Sequence, residues 1–151
     1  MPGAGYPATV AECLDKGARY RRGVVGAVKV FAREGPWRGM LEERKAKFLR
    51  LNAALAAAYE MPAPDLRFTG IDGSFSGAST CRRGRPGEPA VITHRGRLSV
   101  VTYLHEFAHA LGRDERGACR WSLNLFRRVF PEQYARLQTD GHTLRRTETR
   151  R

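Results

Sequence analysis

The sequence predicts an α+β fold of one domain, in which a small sheet of about three strands packs on a central buried helix. Residues 9–59 carry apolar side chains mainly at helical spacing, whereas residues 66–94 contain short strand-like segments separated by glycine and proline. Residues 98–111 form a helical segment that is apolar almost all round, which is typical of a helix inside a core. We therefore expect a domain over residues 1–137, with an antiparallel or mixed sheet and additional helices.

The N-terminal third is predicted to be helical. Thr9 and Glu12 have the spacing of a capping box at the start of a first helix. Residues 24–31 fit a strand by their β-branched content and a helix by the spacing of their apolar residues, and we favour a helix. Residues 37–59 predict the longest helix, because apolar residues recur at helical spacing and charged residues occupy the other face. Residues 61–64, Met-Pro-Ala-Pro, end it.

The middle of the chain predicts three short strands, over residues 66–71, 74–82 and 90–94. Asp72-Gly73 is a hairpin-type turn signal between the first two of them. The third strand leads through a second turn into the apolar helix. The strands are therefore expected to lie beside that helix.

The apolar helix has start and stop signals at both ends. Ser99 can cap its N-terminus, and Gly112 stands where a helix commonly ends. A second apolar-periodic segment opens at Glu115, and Pro131 marks the start of a short helix. Residues 138–151 are polar and basic without apolar periodicity, which predicts a flexible tail.

Composition limits the classes of function. The chain has a net charge of +12, from 27 basic and 15 acidic residues, and 23 of the basic residues are arginine. This charge favours an acidic partner such as nucleic acid, although an arginine-rich composition alone produces the same excess. No apolar run is long enough to span a membrane, and no signal peptide is recognisable. Three cysteines without metal-type spacing indicate a reducing compartment, so we expect a cytoplasmic protein.

The apolar helix contains the sequence His105-Glu106-Phe107-Ala108-His109, an H-E-x-x-H motif. Histidines four residues apart lie on one face of a helix, so their imidazoles can bind one metal ion, typically zinc. A glutamate between them can reach a water molecule at the open coordination position and act as general base. We therefore predict His105 and His109 as metal ligands and Glu106 as the catalytic residue.

A catalytic zinc ion commonly has three protein ligands. Glu115 follows His109 by six residues, just beyond Gly112, and is the first candidate for the third ligand. Asp114 is the alternative, because it lies beside Glu115 in the same short turn. The sequence gives no metal-type spacing for either Cys81 or Cys119.

The full spacing, H-E-x-x-H-x-x-G-x-x-E, resembles the zincin metallopeptidases. It is similar to the metzincin signature, with Glu115 in place of the last histidine, but no methionine follows that could form a Met-turn. A glutamate ligand on the next helix is more similar to gluzincins and to compact intracellular zincins of the ImmA/IrrE type, where Glu115, Ala118, Trp121 and Ser122 match. The resemblance implies one Zn²⁺ per chain, hydrolysis of peptide bonds in a peptide or protein substrate, and a sheet edge that binds an extended peptide.

The predicted function is therefore a zinc metallopeptidase. His94, at the end of the third strand, either lines the cleft as an oxyanion-stabilising residue or lies on the surface at a turn. Tyr59, Arg120 and Trp121 are weaker candidates for the same role.

Three alternatives remain open from sequence. The motif can occur by chance with hydrogen-bonded core histidines, or it can hold a structural metal without hydrolysis. The third alternative is a catalytically inactive zincin scaffold that regulates a partner or associates with nucleic acid.

Overall fold

A computed structural model describes residues 9–70, 78–139 and 144–146 of the 151-residue chain. Within those residues the fold is mixed α+β, as predicted, with six helices, a three-stranded mixed sheet and a two-stranded sheet. The helices are α1 (Val10–Cys13), α2 (Val24–Glu34), α3 (Leu41–Ala58), α4 (Val100–Ala110), α5 (Glu115–Val129) and α6 (Pro131–Ala135). The strands are β1 (Asp65–Thr69), β2 (Thr80–Arg82), β3 (Val91–Arg95), β4 (Leu137–Thr139) and β5 (Leu144–Arg146). No helix in that part of the chain combines the length and the apolar character needed to cross a bilayer.

The first two helices follow the signals in the sequence. Thr9 caps α1, because its hydroxyl accepts from the Glu12 N–H at 3.2 Å and the Glu12 carboxylate accepts from the Thr9 N–H at 2.8 Å. The segment that fits both a strand and a helix by sequence is helix α2, so the preferred prediction is confirmed. Gly35 ends α2 in a left-handed conformation with a φ of 71°.

The long helix α3 begins later than predicted. It starts at Leu41, so the prediction that residues 37–59 are all helical is wrong at the N-terminal end. Gly39 has a φ of 96°, a left-handed conformation through which an α-helix cannot continue. Met40 serves as the N-cap, and its N–H donates to the Glu43 carboxylate at 3.1 Å.

The three-stranded sheet has the order β1-β3-β2. β3 is parallel to β1 and antiparallel to β2, with Cys81 opposite Ile92. The prediction of a hairpin between the first two strands, made from Asp72-Gly73, is therefore wrong. Asp72 and Gly73 themselves lie outside the described residues. A turn dipeptide reports only a local reversal of the chain. β3 takes the central place because its alternate side chains, Ile92 and His94, are fully buried.

Helix α4 is the central helix of the fold, as predicted. It packs against β2 and β3 and also against α5. The side chains of Tyr103, Leu104, Phe107 and Ala108 are fully buried in the main core. One of the strands beside α4 is β2, which pairs with β3 along one edge. The other edge of β2 has no strand partner among the described residues.

Two short antiparallel strands, β4 and β5, lie near the C-terminus. They overlap the segment 138–151, for which the sequence predicts a tail without regular structure. The sequence gives no sign of them, because their pairing depends on main-chain hydrogen bonds and not on a repeated apolar pattern. Residues 140–143 and 147–151 lie outside the described residues.

Candidate metal centre

Helix α4 carries His105 and His109 on one face, about one helical turn apart. The helix begins where the sequence predicts, because the Ser99 hydroxyl accepts from the Thr102 N–H at 3.3 Å. The two imidazole rings have centroids 4.8 Å apart and an interplanar angle of 80°. Their Nε2 atoms are 3.2 Å apart. Both Nε2 atoms therefore point to the same small region beside the helix.

A tight turn after α4 brings a third side chain to this region. Gly112 has a φ of 94°, and its N–H donates to the His109 carbonyl at 2.9 Å. Asp114 caps α5 by accepting a main-chain N–H of the first turn at 2.8 Å. Glu115 is the first residue of α5, and its Oε1 lies 3.2 Å from His105 Nε2 and 3.0 Å from His109 Nε2.

The hydrogen bond on the far side of His109 decides its tautomer. His109 Nδ1 is 2.9 Å from the Arg113 carbonyl oxygen, which can only accept, so Nδ1 carries a hydrogen. In the neutral ring Nε2 then directs a lone pair at the Glu115 carboxylate. Burial lowers the pKa of His105, against the raising effect of Glu115, and favours a neutral ring there too. His109 Nε2 and Glu115 Oε1 thus face each other at 3.0 Å, and a cation between them, either a proton or a metal ion, stabilises this arrangement.

The three donor atoms fit a metal ion. They lie within 4.8 Å of one another, on His105, His109 and Glu115, which we call the ligand cluster. Ligand atoms of a tetrahedral site with bonds of about 2.0–2.1 Å are about 3.3 Å apart, close to the 3.0–3.2 Å found here. The Arg113 carbonyl provides the outer hydrogen bond that commonly orients a metal-binding imidazole. The ligand cluster could therefore hold one metal ion.

Glu106 lies beside the ligand cluster without a partner of its own. It is 7 % exposed, and no hydrogen bond or ion pair joins its carboxylate to another residue in the described ranges. Burial raises its pKa to about 7; His109 opposes this shift and Glu115 adds to it. A carboxyl group of this kind can take up and release a proton near neutral pH.

A cleft of about 610 Å³ opens over the ligand cluster and Glu106. The remaining lining comes from residues 78–81, which lead into and include part of β2, and from Arg83, Gly112 and Arg113. Strand β2, at the edge of the sheet among the described residues, and Arg83 are therefore close to whatever binds at the ligand cluster.

His94 has neither of the two positions predicted for it. It is fully buried and does not line the cleft. Its Nε2 accepts from the Ser99 N–H at 3.2 Å, and its ring lies 6.3 Å from the rings of Phe48 and Phe68. Burial lowers the pKa of His94. The side chain therefore holds the turn between β3 and α4 and does not face a substrate.

The other candidates also lie away from the cleft. Asp114, the alternative third ligand, is the N-cap of α5 and lies outside the ligand cluster. Trp121 Nε1 donates to Tyr59 Oη at 3.1 Å, at the side of the core. Arg120 forms an ion pair with Asp15 at 3.3 Å. None of the four lines the cleft.

Sequence reasoning does not place three residues at the site: Cys119, which it considers as a ligand without supporting spacing, and Arg83 and Arg113, which it does not consider. Cys119 Sγ lies 3.9 Å from His105 Nδ1 and 4.0 Å from Glu115 Oε2, and burial raises the pKa of its thiol to about 12. Its position four residues after Glu115 on one helix could have indicated this contact. Arg113 lies one turn beyond the second histidine and could also have been inferred. No local signal brings Arg83 to the cleft, because its place depends on the strand order.

Comparison of the chain with known protein families, with curated proteins and with solved structures finds no match. The evidence for a candidate metal centre is therefore the geometry of its own residues. Two imidazole nitrogens and one carboxylate oxygen converge in an open cleft, beside Glu106, whose carboxylate has no partner among the described residues.

Proposed function

We propose that the protein is a zinc metallopeptidase, with His105, His109 and Glu115 as ligands and Glu106 as general base. The observation that carries the proposal is the convergence of three donor atoms within 3.0–3.2 Å of one another. The unpaired carboxylate of Glu106 in the same cleft adds the catalytic group that a structural metal site does not need.

The donor set favours zinc. Two imidazole nitrogens and one carboxylate oxygen are typical ligands of a catalytic zinc ion, and three protein ligands leave a fourth position open. When bound in such a site, zinc polarises a carbonyl group and lowers the pKa of a water molecule to about 7. The cleft of about 610 Å³ over the cluster offers room for a substrate.

Glu106 would perform the proton transfers. Its carboxylate takes a proton from the attacking water and later gives it to the leaving amine, so one group serves both steps. Its burial among the side chains of α4 fixes the carboxylate at the cleft, and the absence of a hydrogen-bond partner in the described ranges leaves its oxygens available.

The sheet edge beside the cleft supports a peptide substrate. β2 pairs with β3 along one edge, and its other edge, which has no strand partner in the part of the chain that the structure describes, offers main-chain N–H and C=O groups. Because residues 78–81 line the cleft, an extended peptide that pairs with β2 would pass the ligand cluster. This is also the binding mode that the resemblance to zincins implies.

A second candidate is an inactive zincin scaffold that binds an acidic partner. The net charge of +12 favours it. In that case Glu106→Gln leaves the function intact, and affinity for nucleic acid falls steeply with salt.

Metal content measured by elemental mass spectrometry tests the ligand assignment. After zinc loading and removal of excess metal, we expect a single zinc ion per chain in the wild type and in Asp114→Asn, and little or none in Glu115→Gln. The pair is matched, because both substitutions replace a carboxylate by an amide at neighbouring positions, and asparagine keeps the N-cap of α5. Zinc lost from Asp114→Asn and kept by Glu115→Gln would contradict the assignment. A wild type that takes up no zinc would refute the metal centre.

A further inference from the structure

We propose that the cleft selects substrates with a carboxylate beside the bond to be cleaved, and that Arg83 binds this carboxylate. The inference rests on the proposed metallopeptidase function and names the substrate class of the same site. It is carried by the position of Arg83, which lines the cleft over the ligand cluster and places its guanidinium against the turn after α4.

Two segments that line the cleft meet at the turn after α4. Arg83 follows β2, and its guanidinium lies against the turn after α4, since a Cβ placed on Gly112 would be 3.1 Å from Arg83 Nη1. Arg113 follows Gly112 directly, and its carbonyl oxygen accepts from His109 Nδ1 at 2.9 Å. The main chain that carries Arg113 is therefore tied to the ligand cluster, and Arg83 is held against the same turn.

The guanidinium group of Arg83 is available to a ligand. Arg83 is exposed and forms no ion pair with a carboxylate among residues 9–70 and 78–137. The acidic residues that share the cleft are Glu106 and Glu115. A bound divalent ion balances the charges of these two carboxylates, so Arg83 makes the loaded cleft positive and able to attract an anion.

The chemistry of the guanidinium group favours a carboxylate. Its planar set of N–H donors matches the two oxygens of a carboxylate, and such charge-assisted hydrogen bonds are stronger than neutral ones. The carboxylate can belong to an aspartate or glutamate side chain next to the cleaved bond, or to the C-terminus of the substrate. The experiment has a separate arm for each source.

Binding of peptide hydroxamates to the zinc-loaded full chain tests the inference without requiring turnover. The neutral probe has an internal asparagine and an amidated C-terminus. A second probe replaces the asparagine by aspartate, and a third keeps the asparagine and has a free C-terminal carboxylate. By calorimetry at low ionic strength, we expect at least one charged probe to bind about tenfold more tightly than the neutral probe. The probe that gains affinity identifies the source of the carboxylate.

A substitution assigns the preference to Arg83. Arg83→Gln should remove most of the tenfold preference, while zinc content stays at the wild-type level. The matched controls are Arg82→Gln and Arg116→Gln, which change exposed neighbours that do not line the cleft and should keep the preference. Equal affinity for the three probes, or equal losses in the controls, would overturn the inference and leave the zinc centre standing. Failure of all three probes to bind would count against an open zinc position in a peptide-binding cleft, and the inference would fall with the proposed peptidase function.

Discussion

His109 shows how one hydrogen bond determines the chemistry of the site. Its Nδ1–H donates to the Arg113 carbonyl, so Nε2 faces Glu115 and His105 as an acceptor. The competing arrangement is a protonated His109 paired with Glu115 and no metal. That arrangement accounts for the ion pair at 3.0 Å but assigns no role to the buried, unpaired Glu106. A carboxylate that is buried without a partner costs stability, and a catalytic function accounts for its presence.

The substitution Glu106→Gln separates catalysis from metal binding. The amide keeps the size of the side chain but cannot accept the proton, so kcat/KM for a peptide that the wild type cleaves should fall about 10²- to 10⁴-fold. Zinc content should stay the same, because Glu106 is outside the ligand cluster. Glu132→Gln, which changes an exposed glutamate of α6 that does not line the cleft, is the control and should leave kcat/KM unchanged. Full activity in Glu106→Gln would exclude Glu106 as the general base.

The residues of the site differ in how far sequence predicts their positions. The ligand cluster and Glu106 lie within residues 105–115, on a helix and the turn that follows it, so helical geometry and one glycine are enough to bring them together. Arg83 directly follows strand β2, outside the segment 105–115, and its position requires the strand order β1-β3-β2. Local patterns carry no information on that order. The position of Arg83 in the lining of the cleft is therefore known only from the structure.

At the level of elements, the turn between α4 and α5 holds the two ligand-bearing helices in register. Gly112 has a φ of 94°, which side chains with a Cβ adopt at a cost of about 1–2 kcal/mol. Gly112→Ala should lower the free energy of unfolding by about this amount. The added methyl group would also press on Arg83, whose Nη1 lies 3.1 Å away. Urea denaturation of the metal-free protein measures the change.

Gly26→Ala is the control with the opposite sign. Gly26 lies inside α2, and a Cβ there meets no atom within 4 Å. Alanine should raise the free energy of unfolding by about 0.5–1 kcal/mol, because it restricts the unfolded chain and favours a helix. A Gly112→Ala variant as stable as Gly26→Ala would show that the turn does not need its left-handed residue.

The junction of β3 and α4 makes stability depend on pH through His94. Burial lowers the pKa of His94 below its ordinary value of 6.5, so the folded state binds this proton less readily than the unfolded state. The stability that depends on a neutral His94 is therefore present above the pKa that this histidine has in the unfolded state. It is lost as the pH falls below that pKa. His94→Gln keeps an acceptor for the Ser99 N–H without a titrating group. Its free energy of unfolding should fall less steeply than that of the wild type between about pH 7.5 and pH 5.5. Identical slopes would contradict this assignment.

The elements that sequence predicts correctly are those with local signals. Thr9 and Ser99 cap α1 and α4 as their positions indicate. The start of α3 differs, because the apolar spacing continues back to Trp37 while the left-handed Gly39 interrupts the helix. The predicted hairpin differs because β3 separates β1 from β2. In both cases the outcome depends on backbone conformation or on distant packing, which apolar periodicity does not report.

In the molecule as a whole, the ligand cluster joins two helices that are already fixed by other contacts. α4 is buried in the main core. A second, smaller apolar cluster packs α1 on α5 through Val10, Cys13, Cys119 and Leu123. The Asn124 amide strengthens this contact, since its nitrogen donates to the Cys13 carbonyl at 2.8 Å and its oxygen accepts from the Asp15 N–H at 2.7 Å. The donor atoms are thus arranged in advance, and little ordering is needed when a metal binds.

A metal that binds such a preformed site stabilises the whole fold. A ligand that binds only the folded state adds about 2.7 kcal/mol at a free concentration of 100 times its Kd. For a chain of this size that corresponds to a rise in Tm of roughly 5–10 °C. We expect zinc to raise Tm by this amount in the wild type and a chelator to reverse the shift. The far-ultraviolet circular dichroism should stay unchanged, because apolar packing holds α4 and α5 in place.

The comparison with Glu115→Gln assigns the stabilisation to the ligand cluster. Without zinc, this variant should be at least as stable as the wild type above neutral pH, because it removes a carboxylate that faces the lone pair of His109 Nε2. With zinc, its Tm should barely move, because the cluster has lost its anionic ligand. An equal rise in both proteins would mean that zinc binds elsewhere, for example at exposed groups outside the cleft. A wild type that loses its helices with the metal would show instead that the metal builds the fold, against the preformed geometry of α4 and α5.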